Sequence, residues 1–454
     1  MIRNRAAIGG TPARDLALDL LEAGITAAHP DTVLPAALTV EESEVAVGGR
    51  TYDFAAYDRV LVVGGGKAAG VAAARLEALL GDRIDDGVVV TGTRAGTDRV
   101  KEVVGAHPVP DAAAVEGTQR LHALLADADA ATLVVVVLTG GGSALLPAPA
   151  GVLTLGDLQA VTEGLVTSGA DIHAVNAVRK HLSRVKGGQL ARAAAPATVV
   201  GLVFSDVVGN DPGVVASGPL SPDTTTYAQA RDVLADWDVP VPSRVRTHLE
   251  AGVAGEIPET PRADDPCFES VTVTVLADGH TAIDAARDRA DTRGVATMVV
   301  SGSLTGEAAT AGGVHAAIAR ESLTRGDPIA PPAVVLSGGE TTVSVAGEGG
   351  RGGPNQECVL GAGIELADWP PLGEVVFASV DTDGIDGATE AAGAIVDTGT
   401  ITDRRAARAA LRDHDVAPYL AAANAHVDTG VTGTTVNDLR VLVVGTPTRT
   451  EDAG

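Results

Sequence analysis

The chain has 454 residues, 45% hydrophobic and only 2% aromatic, enough apolar material for two or three cores built from small and β-branched side chains. Its net charge of −26, from 59 acidic against 33 basic residues, argues against nucleic acid and anionic membrane as partners, because the overall field repels both. Four lysines (Lys67, Lys101, Lys180 and Lys186) stand against 29 arginines, the balance expected of a protein adapted to an extreme halophile's cytoplasm, so each lysine carries weight.

The first 30 residues lack the uninterrupted apolar run of a signal peptide. Arg14, Asp15, Asp19 and Glu22 break their pattern at helical spacing, which predicts an amphipathic surface helix. No apolar stretch of about 18 residues spans a membrane without charges or glycine turns. Cys267 and Cys358 stand apart from each other and from any histidine pair, which fits neither a disulfide framework nor zinc and points to a reducing cytoplasm.

In chain order, YDRVLVVGG, DGVVVTG, TLVVVVLTGGG and ATVVGLVFSD are apolar strands separated by Ala-rich helices, the signature of a parallel sheet covered on both faces. Residues from about Ser243 to Pro266 lack periodicity and suit a linker or an exposed loop. VTVTVLAD, ATMVVSG, AVVLSGGETTVSV, EVVFASVDTDG and LRVLVVG then restart the alternation. The predicted fold is α/β with two domains, 1–250 and 267–454. Most of these strands run into a polar cluster, and ligands of open α/β sheets bind beyond the carboxyl ends of strands. The clusters therefore predict one polar cleft, facing both domains.

Gly64, Gly65, Gly66 and Lys67 form the first cluster. It satisfies the relaxed dinucleotide pattern, yet the next strand ends in Thr91 and Thr93 with no ribose-binding acid, and Ala68 stands where a Walker A motif needs Ser or Thr. What is left is a backbone anion nest carrying a cation, with Lys67 on a phosphoryl group. Gly140, Gly141, Gly142 and Ser143 offer a second glycine turn. Asn176, Arg179 and Lys180 share a helix face, and with His181, Arg184 and Lys186 they concentrate cations in an acidic chain, as an anionic ligand would require. Lys101 is read as an ordinary surface charge.

Asp206 and Asp211 flank a glycine turn from which both carboxylates can reach magnesium. Ser337, Gly338, Gly339 and Glu340 close another strand. Arg351 lies between two glycine pairs, where a mobile loop could deliver a guanidinium to a transferring phosphoryl group. Asp381, Asp383 and Asp386 resemble the start of an EF-hand without its remaining ligands, so calcium is not expected.

Taken in order, GGGKAAG, LTGGGSALLPAP, NAVRKHLSRVKGGQLA, SDVVGNDPGVVASGP, LSGGETTV, GRGGPNQE and DTDGIDGATEAAGA resemble the motif series of the glycerate 2-kinase family, whose C-terminal region is called MOFRL. The resemblance spans nearly the whole chain. It implies a larger Rossmann-like N-terminal domain, a smaller α/β C-terminal domain with the site between them, and Mg2+-dependent transfer from ATP to the 2-hydroxyl of D-glycerate. It matches Lys67 and Arg351 to the family's key basic residues, while Asn210 stands where many relatives have an acid. On this reading Asp206 and Asp211 bind magnesium or orient the hydroxyl, and Asp383 or Asp386 serves as base. Asn176, Arg179, Lys186 and Ser143 take phosphates or the glycerate carboxylate, with Gly338, Gly339, Glu340 and Asn355 completing the binding set. The partners are small molecules, with a homodimer left open. The rival readings are an NAD(P)H-dependent hydroxypyruvate reductase and a non-catalytic anion-binding protein.

The charge itself has a testable consequence. At low ionic strength, where the Debye length reaches about 30 Å, the acidic surface repels itself, so the melting temperature should rise steeply between about 0.05 and about 2 M KCl. Melting that is indifferent to KCl over that range would contradict it.

Overall fold

The computed structural model describes residues 1–345, 347, 349–369 and 373–445. It divides into two compact units, one of residues 30–276 and one of residues 1–29 with 277–454. Among the described residues no helix is long and apolar enough to cross a membrane.

The first unit is built on a six-stranded sheet: β1 (Arg59–Gly66), β2 (Asp86–Thr91), β3 (Val100–Val104), β4 (Thr132–Thr139), β5 (Thr198–Phe204) and β6 (Val271–Ala277). Their spatial order is β3-β2-β1-β4-β5-β6, the dinucleotide-fold order, and β1 through β5 pair in parallel. Valines and leucines of β1, β2 and β4 are fully buried, as a sheet covered on both faces requires. Against them pack Ala114, Leu121 and Leu125 of the helix Ala112–Ala126 and Leu190 and Ala191 of the helix Gln189–Ala194. A separate helical core joins Leu155–Ser168, Ile172–His181, Tyr227–Asp236 and Ser243–Val253 through Leu165, Val178, Tyr227 and Leu249.

Two expectations change here. Ser243–Val253 is a helix, not part of a linker, because Val245, His248 and Leu249 bury against that helical core. VTVTVLAD, expected to open the second domain, is the edge strand β6 of the first sheet, where the Val199 N–H donates to the Ser270 carbonyl. Strand β3 was not foreseen, since two adjacent charges in V-K-E-V-V break the apolar run and the alternation that mark a strand, as an edge strand allows.

The second unit holds a mixed sheet of β7 (Ala296–Leu304), β8 (Ala333–Gly339), β9 (Val375–Asp381), β10 (Gly393–Asp397), β11 (His426–Val427) and β12 (Asp438–Val444), in the order β7-β8-β12-β9-β10-β11. Only β7 and β8 pair in parallel; β12 lies antiparallel to both β8 and β9. The N-terminal helix Pro12–Ala27 belongs to this unit rather than to the first domain. It is buried more deeply than its amphipathic pattern suggested. A Cβ on Gly24 would overlap Leu439 and lie 2.8 Å from the Ala282 carbonyl, and Arg14 is buried on Asp397 at 2.7 Å.

Helices Ala308–Arg325 and Pro354–Ala367 touch backbone to backbone: a Cβ on Gly312 would overlap the Cys358 carbonyl, whereas one on Gly313 would meet nothing within 4 Å. Gly312→Ala should therefore destabilise the protein by about 1–3 kcal/mol. Gly313→Ala, in the same helix, should be neutral or stabilising by up to about 1 kcal/mol. Denaturant titrations of the two variants in molar KCl check the pair, and equal midpoints would refute the packing argument.

Candidate active site

In the first unit the strand order reverses between β1 and β4, and the turns leaving these two strands lie side by side. The Lys67 N–H donates to the Gly140 carbonyl at 2.8 Å and the Ala68 N–H to Thr139 Oγ1 at 3.1 Å. Gly141, at φ +78°, lies against Lys67: a Cβ added there would be 3.0 Å from Lys67 Cγ and 2.9 Å from the His107 ring. The sequence-predicted Lys67 and the Gly140–Ser143 turn are thus neighbours, and His107 joins them unforeseen.

The glycines have another role than the one expected. Gly64 and Gly66 end β1 at φ +149° and +139°, and a Cβ on either would overlap β4, at Val137 and Thr139 respectively. A Cβ on Gly65 would lie 2.7 Å from Leu146. They permit close approach of two strands. Nor is the turn an open nest, since the Lys67, Ala68 and Gly70 N–H groups all donate within the protein, the last to Thr91 Oγ1 at 3.1 Å. The side chain of Lys67, not its backbone, faces the ligand question. Gly142 is likewise steric, with a Cβ 2.7 Å from Ala216.

Ser143 Oγ lies 2.8 Å from Ser217 Oγ, which donates to Asn176 Oδ1 at 2.8 Å. Ser217 was not expected from the sequence. It stands with Ala216 in the left-handed region, at φ +63° and +51°, a conformation rare for residues with a side chain. Arg179 and Lys186 lie close together. Burial, with the Arg179 charge beside it, brings the Lys186 ammonium down to about 7, and burial lowers Arg179 too. Lys180, by contrast, is an internal partner of buried Asp223 at 3.4 Å.

Asp206 follows β5, half-buried. Asp211 is exposed and closes its own turn, Oδ1 accepting from the Gly213 N–H at 2.8 Å. Among the described residues no three His, Cys, Asp or Glu side chains converge to hold a metal ion. Asp206 nevertheless fits Mg2+ as one hard oxygen donor beside phosphate oxygens and water, the usual arrangement for that ion.

In the second unit several predicted site residues are framework. Asp386, 1% exposed, accepts from the Asn355 N–H at 2.9 Å and Nδ2 at 3.3 Å, and from the Gln356 N–H at 2.8 Å and Nε2 at 3.0 Å. Burial pushes its carboxyl up to about 7 against those donors. It fills the anion position at the N-terminus of Pro354–Ala367. Asn355 is spent as well, donating to Asp438 at 2.7 Å and accepting from Ser379. Asp438 in turn meets the fully buried Arg440, which reaches Gly338 O at 3.1 Å and Thr341 Oγ1 at 2.9 Å. Asp438 and Arg440 were missed; the signal was their alternation in the otherwise apolar run NDLRVLVVG. Asp383 is also buried, its Oδ1 taking the Ile385 N–H at 2.8 Å, a poor position for a base. A Cβ on Gly339 would overlap Leu304 and one on Gly338 would lie 2.9 Å from Ile283, so these glycines too are steric.

Arg351 and Glu340 are exposed. The Arg351 backbone is hydrogen-bonded on both sides, its N–H donating to Asp415 at 2.9 Å and its carbonyl accepting from Ala417 at 2.9 Å. Beside it Glu340, Thr341, Gly352, Gly353, Glu357 and His414 line a cavity of 380 Å³. The two glutamates on its wall disfavour a bare phosphate there.

Residues 16–250 match the family model described as a domain of unknown function, DUF4147, and residues 333–438 match the MOFRL family. A protein of Pyrococcus horikoshii named glycerate 2-kinase is 36% identical over 95% of this chain and 97% of its own. One of Agrobacterium vitis named putative hydroxypyruvate reductase is 40% identical over 85% of this chain and 87% of its own. The crystal structure of a glycerate kinase from Thermotoga maritima is similar at a TM-score of 0.79 and 34% identity, covering 95% of this chain and 99% of the other. Matched across both halves and along nearly its whole length, this chain belongs to the glycerate 2-kinase family, in which a DUF4147 domain precedes a MOFRL domain.

Proposed function

We propose that the protein is a glycerate 2-kinase, transferring the terminal phosphoryl group of ATP to the 2-hydroxyl of D-glycerate. The observation that carries this reading is Lys67, a scarce lysine held beside the Gly140–Ser143 turn at the reversal of strand order, where α/β folds place phosphate-bearing ligands. Phosphoryl transfer asks for positioning and charge neutralisation rather than covalent chemistry by the protein. Lys67 supplies a full charge toward the transferring group. Mg2+, when bound with the nucleotide, would neutralise phosphate charge, and Asp206 would be the carboxylate that holds it. Asp386 and Asp383 act on the reaction indirectly, by fixing the Asn355 helix end and the loop that follows β9.

The reductase name borne by the Agrobacterium relative finds little support in these residues. After β2 the dinucleotide reading needs an acid for the ribose. The nearby carboxylate is Glu102, on β3, and it is already spent on the Ala95 and Gly96 N–H groups at 2.7 and 3.0 Å. A Cβ on Gly70 would lie 2.6 Å from that same carboxylate, so the space is filled.

Incubation with ATP, Mg2+ and D-glycerate in molar KCl should yield 2-phosphoglycerate, distinguished from the 3-isomer, whereas NADH with hydroxypyruvate should show no turnover. The reverse result would establish the reductase. Lys67→Ala should lower kcat by about 100-fold or more with little change in stability, the scale of losing a preorganised transition-state donor. Lys67→Arg should rescue poorly, because a planar guanidinium does not replace a compact ammonium at close quarters. Full activity in Lys67→Ala would sink the phosphoryl contact.

A further inference from the structure

Along Asn176–Lys186 two of the five cationic side chains have a carboxylate partner. Lys180 meets Asp223, His181 meets Glu259 at 3.2 Å, and Arg184 is exposed. Arg179 and Lys186 differ. No described residue gives the half-buried Arg179 guanidinium an ion pair or a hydrogen bond. Lys186, 5% exposed, has one acceptor, the Leu146 carbonyl at 3.0 Å. Asn176, 4% exposed, gives its Oδ1 to Ser217, while its buried Nδ2 has no partner among the described residues. The three groups present donors only, two of them charged. Burying charge without a counter-ion costs several kcal/mol (roughly, per ion), so the arrangement persists for a partner that arrives from outside.

We propose that Asn176, Arg179 and Lys186 form the receptor for the carboxylate of the acceptor, a small 2-hydroxy acid; this rests on the kinase reading above. Distance along the chain favours the acceptor over the nucleotide. The short helix Gly142–Leu145 has Gly141 against Lys67 before it and Leu146, the partner of Lys186, after it. Its four residues span about 6 Å. The carboxylate and the hydroxyl of a 2-hydroxy acid sit on adjacent carbons, so a receptor one short helix away from the phosphoryl-contacting lysine places the hydroxyl at that lysine. Arg179 supplies the planar fork that suits a carboxylate, Lys186 the point charge, and Asn176 a neutral donor held by the Ser143–Ser217 hydroxyl pair. The left-handed backbone of Ser217 is what carries that hydroxyl to Asn176.

The test is calorimetric titration of D-glycerate, and separately of ATP with Mg2+, into wild type, Arg179→Met and Lys186→Met in molar KCl, followed by steady-state kinetics. Each substitution should weaken D-glycerate binding and raise its KM by at least about tenfold while ATP changes by less than about twofold, as expected for losing one charge-assisted contact. Glyceramide, the neutral amide, should be a far poorer acceptor than glycerate for wild type, and the variants should narrow that preference. Weakened ATP binding with glycerate unaffected would assign the site to nucleotide phosphate and overturn the proposal, as would unchanged binding of both. The kinase reading fails separately: glycerate bound by wild type but never phosphorylated would leave the receptor standing without it. Without ligand, Lys186→Met should melt no lower than wild type, because it removes an uncompensated buried charge. A clear loss of stability, or failure to fold, would make the lysine structural and overturn its part, and Arg179→Lys, which keeps the charge but loses the fork, then tests Arg179 with the same two titrations.

Discussion

Strands β1 and β4 approach each other so closely at their carboxyl ends that a single Cβ at Gly64 or Gly66 would overlap the neighbouring backbone. Much of the first unit's candidate site follows from that constraint. It brings the two departing turns into register, so that the Lys67 N–H can reach the Gly140 carbonyl and Gly141 can lie under the lysine's alkyl chain. It also spends the backbone donors that a phosphate nest would use. The consequence is chemical: with those backbone donors engaged, an anion at this turn would have to be met by a side chain, and substitution at Lys67 tests the kinase reading against a dinucleotide-binding one.

The two units treat buried polar groups in opposite ways. In the MOFRL unit, Asn355, Asp386, Asp438 and Arg440 answer one another, carboxylates against amides and a guanidinium, and the few idle atoms are single lone pairs or N–H groups such as Arg440 Nε. A network so nearly closed rigidifies the helix Pro354–Ala367 and the strand ends around it. In the DUF4147 unit the donors of Asn176, Arg179 and Lys186 face no carboxylate within ion-pair distance among the described residues. Low dielectric makes both arrangements consequential: a satisfied network holds structure, and an unsatisfied one is a binding energy held in reserve. Each contains one Asn and one Arg, and what separates them is whether a carboxylate stands beside those donors in the fold.

Relatives of this chain carry both kinase and reductase names. The difference rests on few atoms. A nicotinamide enzyme of this topology needs a carboxylate free to bind ribose beyond β2, and Glu102 is committed to closing the Ala95–Gly96 loop. Arg179 and Lys186, which have no carboxylate partner among the described residues, suit the acid group that either substrate carries, so it is the nucleotide side of the site that separates the two names.

The amino-acid sequence by itself determined the α/β class, most strands of both sheets, the candidate kinase chemistry and the weight of Lys67, because strand periodicity, glycine turns and the scarcity of lysine are local or compositional signals. It could not place VTVTVLAD, whose apolar alternation suits either sheet; hydrogen bonding to β5 decided that, as packing on Ala282 and Leu439 assigned the N-terminal helix to the second unit. It could not tell a glycine that admits a ligand from one that admits a neighbouring strand, because both look the same until the neighbour is known. Asp386, Asn355 and Asp211 bear chemistry by type, and only the fold shows which of their oxygens and amides meet partners, up to 83 residues away or in their own turn. Whether a polar group is available to a substrate is a property of what surrounds it, and only the tertiary structure supplies those surroundings.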